Sequence, residues 1–242
     1  MKIVIVNSSP KTNQSNTHVI VEAFSRGAVT AGAEVENIFL AKYNIKPCSA
    51  CLSCWFKTPG KCVLNDDAEM ILNRMTDAEL LVFATPLYVD NVSGIMKLLM
   101  DRMISKGNTL TEIDKSGGTR HTVKQSKLTK IGVISNCGFP EQDQFQVLRL
   151  LFRRVARNMN VELAVEIYRG EGTLLTGEGA KLKPIIDQYK KLVEKVGNEA
   201  VTLGKITEET LAELEKPLIP YEIYNKAVNE NIIKELQHKS DG

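Results

Sequence analysis

Residues 2–6 read KIVIV, and residues 7–17 read NSSPKTNQSNT. The first run is short and β-branched, which suits a pleated strand. The second is a loop of hydroxyls, amides, one proline and one lysine. From about residue 17 to 31, Val19, Ile20, Ala23, Phe24 and Ala28 recur at the spacing of one helix face, and Gly32 stops the pattern. A strand, a polar loop and an amphipathic helix within thirty residues make the opening half of a βα unit.

The same alternation continues along the chain. Residues 34–39 (EVENIF) alternate as a strand should. Residues 67–76 read as a helix with Asp66 as its expected N-cap. Residues 79–84 (ELLVFA) form a near-continuous apolar run, the mark of a strand covered on both faces. The loop TPLYVDNVSG leads into a helix at about 93–104, with Ile95, Leu98, Leu99 and Met103 on one side. Residues 105–128 are polar and carry Gly107, Gly117 and Gly118, so they read as a mobile surface excursion. A strand at 130–135 (KIGVIS), the loop NCGFPEQ, a helix at about 142–158 and a strand at 161–168 follow. A long helix at about 179–202 opens near Gly179. Five strands alternating with helices imply an α/β fold, a doubly wound parallel sheet with helices on both faces. The expected organisation is a domain over 1–203 and a C-terminal helical arm over 204–242. That arm holds a helix capped at Thr207, then Pro217, Pro220 and an amphipathic segment at 221–237, packed on its own domain or on a neighbouring subunit.

Composition bounds the function. The chain has 242 residues, with 31 Lys and Arg against 29 Asp and Glu, for a net charge of +2. Such a balance argues against nucleic acid as a partner. No apolar run approaches the ~20 residues that span a bilayer, so no membrane partner is expected. The N-terminus lacks the pattern of a signal peptide, so the expected location is the cytoplasm.

In an open α/β sheet, ligands sit beyond the carboxyl ends of the strands where strand order reverses. The 7–17 loop gathers hydroxyls, amides, Lys11 and a helix N-terminus at such a place, a natural phosphate site. It is neither a P-loop nor a dinucleotide fingerprint, because G-x-x-x-x-G-K-[ST] and G-x-G-x-x-G are both absent. An N-cap role alone for Ser15, Asn16 or Thr17 is the plainer alternative. The aspartates of a response regulator are missing after the first strand.

Cys48, Cys51, Cys54 and Cys62 fall within fifteen residues. In a reducing compartment such a block suits metal or iron–sulfur ligation better than disulfides. A four-thiolate zinc site, a redox-active thiol pair and plain buried cysteines remain open on the residues alone. Cys137 stands apart.

The S-S-P-K-x3-S-N-T loop, the 47–62 cysteine block followed by Asp66 and Asp67, and the A-T-P-L-Y-x-D-N-x-S-G-x-x-K-x-x-x-D-R stretch from Ala84 to Arg102 occur together and in order. Over roughly residues 1–170 the chain resembles the NADPH-dependent FMN reductase family of flavodoxin-like proteins, and within it the iron–sulfur flavoproteins. The resemblance implies a flavodoxin-like sheet of order 2-1-3-4-5 with FMN at its switch point, and a homodimer or homotetramer. It implies that Ser9, Lys11, Ser15, Asn16 and Thr17 hold the FMN phosphate. Pro86, Leu87, Tyr88, Val89, Asp90 and Asn91 would line the ring and ribityl chain, and Asn136, Cys137, Gly138 and Phe139 would reach the same ring.

The implied activity is an NAD(P)H oxidoreductase that passes electrons to a flavin, quinone, nitroaromatic or metal ion, with no catalytic side chain in the strict sense. An electron carrier working with ferredoxin-type proteins is the alternative, and a metal-binding protein without flavin is a third reading. The resemblance also implies a four-iron, four-sulfur (4Fe–4S) cluster on Cys48, Cys51, Cys54 and Cys62. Lys97, Asp101 and Arg102 read as structural or subunit-contact residues, and Arg120 and His121 as part of a solvated loop. Trp55 reads equally as an aromatic wall or as packing, and His18 and His238 as incidental.

Overall fold

The computed structural model describes residues 1–122, 126–177 and 180–240, the last three by backbone alone. In chain order the elements are β1 (Lys2–Asn7), α1 (Asn16–Thr30), β2 (Glu34–Phe39), α2 (Ser53–Phe56), α3 (Ala68–Thr76), β3 (Leu80–Pro86) and α4 (Gly94–Arg102). They continue with β4 (Thr111–Ile113), β5 (Thr119–His121), β6 (Lys130–Asn136), α5 (Gln146–Met159), β7 (Glu162–Arg169), α6 (Lys183–Thr202), α7 (Glu208–Leu214) and α8 (Tyr221–Ser240).

Five strands pair in parallel in the order β2-β1-β3-β6-β7. Apart from the β4–β5 hairpin, this is the expected 2-1-3-4-5 order, with its reversal between β1 and β3. All seven residues of β3 are buried, and Ile3, Val4, Ile5 and Val6 of β1 have no exposed surface. Each such side chain, fully enclosed, contributes about 1.5–3 kcal/mol of hydrophobic stabilisation. Val4, Val6, Leu81 and Phe83 face a core closed by α3, α4 and α5. Ile3, Ile5, Leu80 and Val82 face one closed by α1 and α6. Those two helices touch backbone to backbone. A Cβ on Gly27 would lie 1.8 Å from the Glu194 carbonyl oxygen, and one on Gly197 would lie 2.1 Å from that of Phe24.

Several boundaries differ from the sequence reading. The first helical residue of α3 is Ala68 and its cap position is Asp67, while the Asp66 carboxylate accepts from the Ala68 N–H at 3.1 Å and from Arg102 at 2.6 Å. The 105–128 excursion contains the antiparallel hairpin β4–β5. Arg120 pairs with Glu112 at 2.8 Å and donates to Asn160, while Arg157 pairs with Asp114 at 2.8 Å. These contacts tie the hairpin to α5, so Arg120 is not a solvated loop side chain. The expected opening of α6 near Gly179 lies outside the described residues, and the helix begins at Lys183. The side chain of His238 also lies outside them.

The C-terminal arm is anchored on its own chain. Thr207 caps α7 and, with Thr210, bonds Glu199 of α6. Arg169 donates to the carbonyls of Leu214 and Lys216, and Glu171 accepts from the N–H groups of Leu218 and Ile219. Leu214 and Tyr224 are buried. Further along α8, Ile232, Ile233 and Leu236 are exposed. Among the described residues no helix is long and apolar enough to cross a membrane.

Candidate functional site

Register brings three strand ends level: Asn7 pairs with Ala84, and Pro86 with Asn136. The loops that follow β1, β3 and β6 therefore meet along one edge of the sheet, at its order reversal. They are joined by hydrogen bonds. Ser8 N–H donates to Ala84 at 2.9 Å, and Leu87 N–H to the Asn136 carbonyl at 2.9 Å. The Ser93 hydroxyl reaches Ser8 Oγ at 2.8 Å, and Ser93 N–H bonds Thr85 Oγ1 at 3.0 Å. Thr17 Oγ1 donates to Asn136 Oδ1 at 2.7 Å, bridging the first loop to the third.

Within the first loop, Ser15 is the N-cap of α1. Its Oγ accepts from His18 N–H at 3.1 Å and donates to the Thr12 carbonyl at 2.7 Å. Ser9, Ser15 and Thr17 are buried, while Lys11 is exposed. The N–H groups of Asn16 and Thr17 precede the intrahelical ladder of α1 and are free of it. Asn7 Nδ2 is buried beside them without a partner. Spare N–H donors at a helix N-terminus, flanked by hydroxyls and an exposed cation, fit a phosphate group.

In the second loop, Tyr88 and Asn91 exchange backbone hydrogen bonds of 3.0 and 3.1 Å around Val89 and Asp90. Both central residues have positive φ, 49° and 58°. That is a type I′ turn, usually built from Asn and Gly, so a β-branched Val89 there is strained. Val89 is 95% exposed and Tyr88 half exposed, with Leu87 partly buried behind them. In the third loop Phe139 is 63% exposed. Cys137 is buried, its N–H bonds the Arg169 carbonyl, and burial pushes its thiol up to about 11. The three loops thus bring exposed apolar side chains, Tyr88, Val89 and Phe139, to the same sheet edge as the buried hydroxyls of Ser9, Ser15 and Thr17.

The cysteine block lies elsewhere, beside the far end of α4. That helix has nine residues, which spans ~13 Å from the Ser93 cap to Arg102. Cys48, Cys51, Cys54 and Cys62 line one hollow together with Arg102, Ile104 and Ser105. All four are free thiols. Burial raises the Cys54 thiol, and its neighbours Cys62, Cys48 and Cys51 push it the same way. Among the described residues no three His, Cys, Asp or Glu side chains stand close enough for a single metal ion. Four thiols on one hollow have the chemistry of a thiolate metal or iron–sulfur site. Trp55 packs here, donating to the Ile104 carbonyl at 3.0 Å and meeting His121 edge-on, so it does not wall the strand-end crevice.

Residues 1–122 match the model of the NADPH-dependent FMN reductase family. The chain belongs to that family. An iron–sulfur flavoprotein of Archaeoglobus fulgidus is 38% identical over 110 residues, which is 45% of this chain and 52% of that one. The chain spans about half the length of the curated relatives it matches. Among solved structures, an NAD(P)H:quinone oxidoreductase from Methanothermobacter marburgensis superposes with a TM-score of 0.62 at 15% identity, covering 86% of this chain and 99% of that one. An FMN-dependent NADH-azoreductase from Bacillus anthracis, in complex with FMN, gives 0.59 at 16% identity, over 83% and 99%. At these identities the two structures support the fold alone.

Sequence reasoning missed several residues of the crevice. Ser8, Thr85 and Ser93 knit the first two loops together; all three fall within the motifs read from the sequence, but none was assigned this role. Tyr224, far along the chain, donates its hydroxyl to the Gly138 carbonyl and shares a 2.8 Å bond with Thr173. Nothing local to the sequence marks that contact.

Proposed function

We propose that the chain is an FMN-dependent oxidoreductase that takes electrons from NADH or NADPH and delivers them to a small acceptor such as a quinone, flavin, nitroaromatic or metal ion. The observation that carries this reading is the meeting of three loops at the switch point, with free N–H groups and hydroxyls at one end and exposed Tyr88, Val89 and Phe139 at the other. Bound FMN would supply the redox chemistry, accepting hydride and releasing electrons. The chain's residues would bind and orient it. The Asn16 and Thr17 N–H groups, with the Ser9 and Ser15 hydroxyls and Lys11, would hold the phosphate. Asp90, Asn91 and the backbone of Pro86 and Gly138 would meet the polar edge and ribityl chain, while Tyr88, Val89 and Phe139 cover apolar ring surface. Asn136, locked by Thr17, would fix the distance between phosphate and ring, with Cys137 a small buried support under the third loop.

A second reading follows from the hollow shared by four thiols. Cys48, Cys51, Cys54 and Cys62 fit a 4Fe–4S cluster, which would make the protein an electron carrier between the flavin and ferredoxin-type partners. A homo-oligomer in the cytoplasm, built from a 1–203 domain and a 204–242 arm, completes the proposal.

The test is a spectrum of protein purified without oxygen and mixed with FMN. Flavin bands that NADPH or NADH bleach and a quinone restores are expected; broad absorbance near ~400 nm that fades on reduction would add the cluster. A protein that takes up no FMN would overturn the oxidoreductase reading. Flavin that nicotinamides leave oxidised, with a cluster present, would favour the carrier.

A further inference from the structure

The Arg102 and Asp66 side chains are both wholly enclosed. They meet as a fork, Nη1 to Oδ2 at 2.6 Å and Nη2 to Oδ1 at 3.2 Å. Arg102 Nη1 also donates to the Lys46 carbonyl at 3.0 Å, and Asp66 accepts from Lys46 N–H at 2.9 Å. Lys46 precedes Cys48 by two positions and Asp66 follows Cys62 by four, so this pair clamps the two ends of the cysteine segment against the end of α4. Such an arrangement exceeds what a helix-end staple needs, since a buried ion pair is no reliable source of stability.

One donor is left over. Arg102 Nε is buried and has no hydrogen-bond partner among the described residues. Arg102 lines the hollow that the four cysteines share, whereas Asp66 does not, so the cationic member of the pair is the one turned to the sulfurs. Cys62 lines the same hollow as the guanidinium.

We infer that Arg102 is a positioning and tuning residue of the four-cysteine site, its unpartnered Nε–H left to donate to a sulfur of a bound cluster and its charge favouring that cluster's reduced state. This rests on the reading of the block as a 4Fe–4S site. Reduction adds one electron, and one unit of negative charge, to the cluster; no bond breaks and the guanidinium keeps its protons. A fixed cation and an N–H···S bond both stabilise that added charge, and both raise the potential.

The experiment compares wild-type protein, Arg102→Lys and the double variant Arg102→Gln with Asp66→Asn, each reconstituted anaerobically with iron and sulfide. Iron per chain is measured, and the cluster is titrated with dithionite and followed by electron paramagnetic resonance. At the potential where the wild-type cluster is half reduced, the ratio of reduced to oxidised cluster is expected to fall about tenfold in the double variant, the effect of losing one donor and its charge. Arg102→Lys, which keeps the charge and loses the planar donor, is expected to fall between. A double variant loaded with the wild-type potential overturns the inference and leaves a structural clamp. Should the double variant fail to fold, wild-type protein grown on ¹⁵N-arginine decides: spin-echo modulation from a guanidinium nitrogen on the reduced cluster is expected, and its absence overturns the inference. Wild-type protein that binds no iron sinks the cluster reading and this inference together. A loaded wild type without the nitrogen signal sinks this inference alone.

Discussion

Replacing Val89 by Asn should stabilise the protein while weakening its hold on FMN. Val89 sits at φ 49° in a two-residue turn and is 95% exposed. An L-residue in the left-handed region carries a cost of roughly 1–2 kcal/mol, and a β-branched one lies at the upper end. Asn tolerates that region because its short side chain bonds its own backbone. Because Val89 buries almost nothing within the chain, little packing is lost, so the net gain should be about 1 kcal/mol. For a chain of this size that raises Tm by about 2–4 °C in FMN-free protein. If the two methyls lie on the flavin ring, as proposed, their loss removes about 1.5 kcal/mol of apolar contact, or roughly tenfold in FMN affinity. Calorimetry without FMN and a fluorescence titration with it read the two effects separately. A lower FMN-free Tm would show that the turn is unstrained, and unchanged FMN affinity would remove Val89 from the binding surface.

Other substitutions test the remaining joints. Thr17→Val deletes the 2.7 Å bond to Asn136 inside the crevice and strands a buried acceptor, so it should cost about 1–3 kcal/mol in urea unfolding; a loss under half a kcal/mol would place water in that gap. Gly197→Ala drives a methyl into the Phe24 carbonyl and should lower stability by at least ~1–3 kcal/mol, seen as an earlier circular-dichroism melt. In metal-free protein the exposed Cys51 thiol is drawn down to about 7 by the Ser53 hydroxyl, while burial holds Cys137 at about 11. The Cys51 thiolate fraction therefore rises as pH climbs through 7, and iodoacetamide should label Cys51 first, with Cys137 inert below pH 9. Equal labelling of the two at pH 7.5 would contradict this.

The sheet was legible because its strands are short apolar runs separated by helices with one apolar stripe, and periodicity carries that information locally. The β4–β5 hairpin was not legible. Its strands have three residues each and no alternation, and what holds them is ion pairing to α5, some forty residues away. Asp66 was half legible: its carboxylate does accept from the Ala68 N–H at the helix start, but its second role, holding the guanidinium of Arg102, leaves no local mark in the sequence. In the crevice, loop position and residue type pointed to Ser9, Ser15 and Thr17. That Ser15 caps the helix was one of the readings open on the sequence; that Thr17 reaches across to Asn136 was hidden. The bonds of Ser8 and Tyr224 escaped because their partners are distant in sequence.

The glycine contact between α1 and α6 has a consequence for the order of folding. Gly27 and Gly197 are separated by most of the chain, so during synthesis the first helix emerges long before the surface that covers it. Until α6 leaves the ribosome, Ile20, Phe24 and Ala28 have only the growing sheet to lie against, and the N-terminal half carries an open apolar face. The sheet's other side, closed by α3, α4 and α5, is completed earlier. The nascent protein is thus finished one face at a time, and the window before α6 arrives is when chaperones or premature self-association would act on it.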